Sequence, residues 1–197
     1  MLEVKNVRVD GFQEAIRGVR NSYNSWEKSD SGMQDGNFVM GNADKKLLSS
    51  LVKAGDSHAK AMRMITVWFD VTAPRMWWTE FDTYKHTVRC SCSTIHTLAS
   101  RNLSVKDFSC TDASEMQMTV DFLNDIRKAY VNDKTERNWR RLKEQLPESF
   151  NQTATICTNY QTLRNMYLQR KGHKLKEWQT FRIFIECLPY ANDLITI

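Results

Sequence analysis

Between Asn159 and Arg170 the chain can be little other than an amphipathic helix. Leu163, Met166 and Tyr167, with Tyr160 one turn earlier, recur at near-helical spacing and form one apolar stripe. Asn159, Asn165 and Arg170 stand at the edge of that stripe. The two carboxamides offer both donors and acceptors. The guanidinium offers a planar fork suited to a phosphate or a polarised carbonyl. The segment therefore predicts a helix that packs on a core and delivers three polar groups to a site. An ordinary surface helix with solvated Asn and Arg stays open from the spacing alone.

The rest of the composition narrows the classes. The chain has 197 residues, which suits a single domain over 1–197. At 41% hydrophobic and 11% aromatic it is too apolar for disorder. It has no apolar run of about eighteen residues, so no membrane span is expected. Met1-Leu2-Glu3-Val4-Lys5 lacks the apolar core of a signal peptide, and a cytoplasmic location is expected. The formal net charge of +5 favours anionic partners. The densest basic cluster, Arg137, Arg140, Arg141 and Lys143, suits a nucleotide phosphate as well as a duplex backbone. No helix-turn-helix, zinc-finger or RNA-recognition signature is present, so nucleic acid is the less favoured partner.

The five cysteines are odd in number and irregular in spacing, which argues against a disulfide framework. Cys90-Ser91-Cys92 lacks the spacing of a zinc ligand pair, so no metal is expected. Reduced, mostly buried thiols are the expectation.

Along the chain, Val4 to Val9 alternates as a half-buried strand, and Gly11 ends it. Phe12, Ala15, Ile16 and Val19 predict a short helix. Asn21 to Gly41 reads as a long polar loop in which Trp26 serves as an anchor. Asn42 or Asp44 is expected to cap a helix to Lys53. Met62 to Val71 predicts a strand buried on both faces, stopped by Pro74, which opens a helix loaded with Trp77, Trp78 and Phe81 as core. Thr83 to Ser93 is irregular. Asp112 or Ser114 caps a helix through Tyr130, and Glu136 to Gln145 forms another. Phe150 to Cys157 reads as a linker with some strand character. Leu175 to Leu188 is the last helix, closed by Pro189. Strands early and helices late make the chain α+β, a small antiparallel sheet with several long helices. Neither G-x-G-x-x-G nor G-x-x-x-x-G-K-[ST] occurs among its seven glycines, so any dinucleotide would be held by side chains and helix ends.

The series Asn159-x-x-x-Leu163-x-Asn165-x-x-x-x-Arg170 resembles the signature helix of flavin-dependent thymidylate synthases. Other residues fall in the family's order: Ala15-Ile16-Arg17, Gly55 to His58, Ala73-Pro74, and Leu146-Pro147 ahead of Asn159. The resemblance implies FAD as cofactor, contacted by Asn159, Asn165, His58, Lys85 and His86. It implies a deoxyuridylate-type pyrimidine nucleotide held by Arg170, Lys143, Arg89, Ser91 and Ser93, with Arg170 as the catalytic group. It further implies NADPH and methylenetetrahydrofolate as co-substrates and a homotetramer. The family's R-H-R motif is replaced here by Thr83-Tyr84-Lys85 or, one residue on, Tyr84-Lys85-His86. A lysine offers a point charge where an arginine offers a fork. Three readings follow: a synthase-like enzyme, a flavin- or nucleotide-binding homologue without that activity, and a basic nucleic-acid-binding protein.

Overall fold

The computed structural model describes residues 2–197. In chain order the elements are β1 (Glu3–Asp10), α1 (Phe12–Asn21), β2 (Gly32–Gln34), β3 (Asn37–Val39), α2 (Asn42–Lys53), β4 (Thr66–Pro74), α3 (Arg75–Phe81), β5 (Val88–Ser91) and α4 (Thr94–Thr97). Then come α5 (Ala113–Asn132), α6 (Glu136–Glu144), β6 (Asn151–Asn159), α7 (Tyr160–Gln169), α8 (Lys176–Glu186) and α9 (Ala191–Leu194). The chain is α+β, as its sequence predicts, with a four-stranded sheet ordered β1-β4-β6-β5 and a separate β2-β3 ribbon. The direction of the central pair follows from its bonds. Ile65 accepts from Tyr160, Thr72 meets Thr153, and Arg75 donates to Phe150. Partners descend along β6 as they rise along β4, so the two strands are antiparallel. The same holds for β5, where Thr87 meets Thr158 and Cys92 meets Thr153.

Two compact units share this chain. The larger comprises Val4–Asp70, Tyr84–Arg89 and Ile156–Ile197. Its core joins Val67 and Phe69 of β4 to Tyr160, Leu163 and Met166 of α7 and to Trp178, Phe181 and Ile185 of α8, all essentially inaccessible. In β4 the alternate positions from Val67 to Ala73 are fully buried and the others half-buried. Arg8 covers Trp68 on the second face, its guanidinium carbon 4.9 Å from the ring centroid. At the turn from β1 into α1, Gly11 has φ 94°, and a Cβ there would lie 2.2 Å from the Met64 carbonyl oxygen.

The smaller unit, chiefly Val71–Thr83 and Cys90–Thr155, packs Leu98, Leu103, Phe108, Val120, Leu123, Ile126, Leu142 and Leu146 into one cluster. Trp77, Trp78 and Phe81 are buried in it as expected, and Trp78 Nε1 donates to the carbonyls of Ala73 and Gln152. Asp112 caps α5 by accepting from the backbone N–H groups of Ser114 and Glu115.

Several expectations need correction. The irregular stretch Thr83 to Ser93 contains β5, a short and largely exposed strand. The supposed linker Phe150 to Cys157 is most of β6, and only its alternate residues Ala154, Ile156 and Thr158 are buried. The last predicted helix ends at Glu186 and a further short helix, α9, follows Pro189. Cys90, Cys92, Cys110 and Cys187 are free but exposed, and only Cys157 is half-buried. They sit at an edge strand, a loop and a helix end, where no apolar layer covers them.

The loop from Asn21 to Gly41 carries β2 and β3 and is tied down from its far side. Asp44 does not cap α2. It lies fully buried in the first turn, paired with Arg20 at 2.7 Å. Its other oxygen accepts from the hydroxyls of Ser29 and Ser31 and from the backbone N–H groups of Asp30 and Ser31. The loop returns the bond: Asp30 accepts from the backbone N–H groups of Ala43 and Asp44 and so caps α2 from outside the helix. Burial pushes the Asp44 carboxyl upward, but Ser29, Ser31 and Arg20 outweigh it and hold the group below the usual carboxylate range. Trp26 is half-exposed and fixed by its Nε1 donating to Asn21 at 2.7 Å.

Candidate functional site

The first turn of α7 opens on a cavity of about 190 Å³ inside the larger unit. Its walls are Asp56, Arg63, Tyr84, Lys85, His86, Asn159, Gln161, Thr162 and Asn165. Four sequence-predicted residues therefore come together here: Asn159, Asn165, Lys85 and His86. Asn159 is the N-cap of α7, and its Oδ1 accepts from the Thr162 backbone N–H at 3.0 Å. That bond fixes the amide, leaving its Nδ2 as a donor. Lys85 and His86 come from the segment ahead of β5, where His86 adopts φ 63° and its carbonyl accepts from Thr158.

The amide network continues along the helix. Gln161 and Asn165 are four residues apart and share a face. Gln161 Nε2 donates to Asp56 Oδ1 at 3.0 Å and to Asn165 Oδ1 at 3.2 Å. The Asp56 carboxylate accepts only, so it sets which end of the Gln161 amide points toward it. Asn165 is set in turn, with Oδ1 toward Gln161 and Nδ2 as the remaining donor. Gln161 is only 6% exposed, and its Oε1 is buried with no hydrogen-bond partner among the described residues. Sequence reading passed over Gln161, Asp56 and Tyr84 as wall residues. Gln161 was open to discovery, because it lies one helical turn before Asn165. Asp56 was not, because 105 residues separate it from Gln161.

Arg170 ends α7 and is half-buried. Its Nε donates to the Tyr84 hydroxyl at 2.9 Å. Its guanidinium carbon lies 4.6 Å from the Trp178 ring centroid and 5.4 Å from that of Tyr84. A planar cation between two aromatic faces is restrained in orientation as well as position. Tyr84 both holds Arg170 and lines the cavity.

The other predicted residues lie elsewhere. His58 is exposed and lines a broader groove of about 650 Å³ with Gly18, Tyr23 and Met64. Arg89 is half-buried on β5 and is not part of the cavity wall. Ser91, Ser93 and Lys143 belong to the smaller unit. There the Lys143 ammonium donates to Thr94 Oγ1, beside Ser93. Burial, and then the nearby Arg75, push the Lys143 ammonium below its ordinary pKa. Arg75 is held by Glu148 at 3.3 Å and by the Leu146 carbonyl at 3.0 Å. A second cavity in that unit, about 330 Å³, is lined by hydroxyls and amides with Arg101 and Lys106. Arg101 is engaged by Asp107 through both terminal nitrogens.

What the α7 cavity can take follows from its size and chemistry. Ligand sites for whole drug-sized molecules run to roughly 300–1,000 Å³. A space of about 190 Å³ takes one pyrimidine-sized ring, or the pyrimidine end of a flavin, and not a complete dinucleotide. Three oriented amides suit such a ring edge. Among the described residues no cluster of His, Cys, Asp and Glu suits a metal ion, and no helix is long and apolar enough to cross a membrane.

No protein-family model matches the sequence, and no curated protein matches it. Solved structures do match it in fold. A flavin-dependent thymidylate synthase ThyX from Helicobacter pylori, complexed with FAD and dUMP, superposes with a TM-score of 0.78 at 20% identity, covering 98% of this chain and 97% of that one. A second structure of Helicobacter pylori ThyX with FAD and dUMP gives a TM-score of 0.78 at 19% identity, covering 100% and 98%. The chain has the flavin-dependent thymidylate synthase fold from end to end.

Proposed function

We propose that this chain binds FAD and a deoxyuridylate-type pyrimidine nucleotide and acts as a thymidylate synthase-like enzyme. One observation carries the reading. Asn159, Asn165, Lys85 and His86 converge on one cavity, bounded by the tyrosine that fixes Arg170, in a chain with the synthase fold. Bound flavin would supply hydride transfer, with NADPH as its reductant and methylenetetrahydrofolate as the carbon source. The protein's own part is orientation and charge. Asn159 and Asn165 present donors to ring carbonyls, and Lys85 supplies a point charge for a phosphate. Arg170 draws electron density onto a pyrimidine oxygen and so activates the ring carbon to be methylated. A desolvated, oriented guanidinium is well suited to that task. His58 and Arg89, with Ser91, Ser93 and Lys143, complete the proposed contacts. A homotetramer is the proposed state, in which neighbouring subunits supply the walls that a single-ring cavity lacks.

The absorption spectrum of the purified protein, with and without added deoxyuridylate, tests this. A yellow protein whose flavin bands move on adding the nucleotide is expected. A colourless protein that takes up no FAD overturns the reading. The second reading, a binding homologue without synthase activity, is favoured by Tyr84-Lys85-His86 standing where the arginine pair of R-H-R is expected. Growth of a thymidine-requiring strain carrying this gene separates the two: rescue supports the enzyme, and a yellow protein without rescue supports the homologue.

A further inference from the structure

Gln161 is the one α7 residue in the cavity wall whose polar capacity is half used. Both hydrogens of its Nε2 are spent, on Asp56 and on Asn165. Its Oε1 is buried and has no partner among the described residues. An unserved buried acceptor costs about 1–3 kcal/mol, so one that persists in a cavity wall points to a donor supplied from outside. The amide cannot turn over to relieve this, because Asp56 would then face an oxygen. On either side, Asn159 and Asn165 are locked with their Nδ2 groups as donors.

The wall thus presents two donors and one acceptor, all fixed by bonds behind them. We infer that Gln161 is a specificity-determining residue that reads the N–H of a cyclic imide, while Asn159 and Asn165 serve the flanking carbonyls. An imide edge carries two acceptors and one donor, the complement of this set. The inference rests on the function proposed above and adds to it a recognised group and the residue that selects it. Asp56 is a positioning residue, since it acts by orienting the Gln161 amide. Two ligands in that reading carry the imide: the pyrimidine end of the flavin and the uracil base.

Methylation of the imide nitrogen removes the donor and leaves both carbonyls. Binding of FAD and of 3-methyl-FAD by the full-length protein is measured by fluorescence. Binding of dUMP and of 3-methyl-dUMP is measured by calorimetry. The four titrations are then repeated with Gln161→Leu and Gln161→Met. Loss of about tenfold or more in affinity on methylation, for one of the two ligands, is expected with the unaltered protein. The sensitive ligand is the one whose imide Gln161 reads. In the variants that methylation penalty should shrink to about twofold or less, because the acceptor it depends on is gone. If both parent ligands bind and neither methylated form is weakened, the inference is overturned and the proposed function stands. A penalty that persists undiminished in folded variants also overturns it, since the methyl group is then rejected by shape alone. If neither FAD nor dUMP binds, the function and the inference fall together. The unaltered protein decides the first of these outcomes even if both variants fail to fold.

Discussion

Arg20 and Asp44 are the residues on which the early part of the chain depends. Both side chains are withdrawn from water, at 8% and 0% exposure, and five further hydrogen-bonding groups converge on the same pair. Removing one partner leaves the other charge buried and uncompensated. Asp44→Asn should therefore cost about 3–5 kcal/mol in a urea denaturation. The cost should depend on pH with a definite sign. The folded carboxyl titrates below its ordinary value of 3.8, so its contribution is fully present above that value. It is lost as the pH falls through the lower folded value. The stability gap between the natural protein and Asp44→Asn should be constant near neutrality and close at strongly acidic pH. A gap that widens on acidification would show that Asp44 is not held as a carboxylate.

Among elements, α2 makes the sharpest demand on a single position. Gly41 precedes it, and a Cβ there would lie 2.2 Å from Asp30 Cγ and 2.4 Å from the Asp30 backbone oxygen. Swinging the Asp30 side chain away cannot relieve the second contact and would uncap the helix. Gly41→Ala should destabilise the protein by about 1–3 kcal/mol, read as a lower urea midpoint. Helices such as α5 and α7 are legible in the sequence because they bury a 3.6-period stripe and carry Asp112 and Asn159 as caps. Strands were harder. Asn151-Gln152-Thr153 opens β6 with polar side chains, so its alternation of burial has almost no hydropathy contrast. Val88 to Ser91 is a short edge strand, two of whose four residues are Arg and Ser, and it has no apolar face to announce it. The site divides the same way. Asn159, Asn165 and Arg170 share a helical spacing, and that spacing is local. The orientation of Gln161 by Asp56 and the seating of Arg170 on Tyr84 and Trp178 depend on distant segments meeting, which no local period encodes.

For the molecule as a whole, the open question is how many chains make one site. The larger unit encloses room for about one ring, and α5 of the smaller unit leaves Met118 and Phe122 exposed one turn apart. Light scattering should give four chain masses at micromolar concentration, and a monomer would sink the tetramer proposal. The tie between α2 and the loop before it has its own consequence for how the protein ages in solution. Lys28 is an exposed basic residue in a polar segment, the kind of place where trypsin ordinarily nicks a chain first. Its carbonyl is gripped by Arg20, whose own hold is Asp44. Cleavage after Lys28 should therefore be slow in the intact protein and among the earliest cuts once Asp44 is replaced, so that one interior carboxylate governs the lifetime of a peptide bond on the surface.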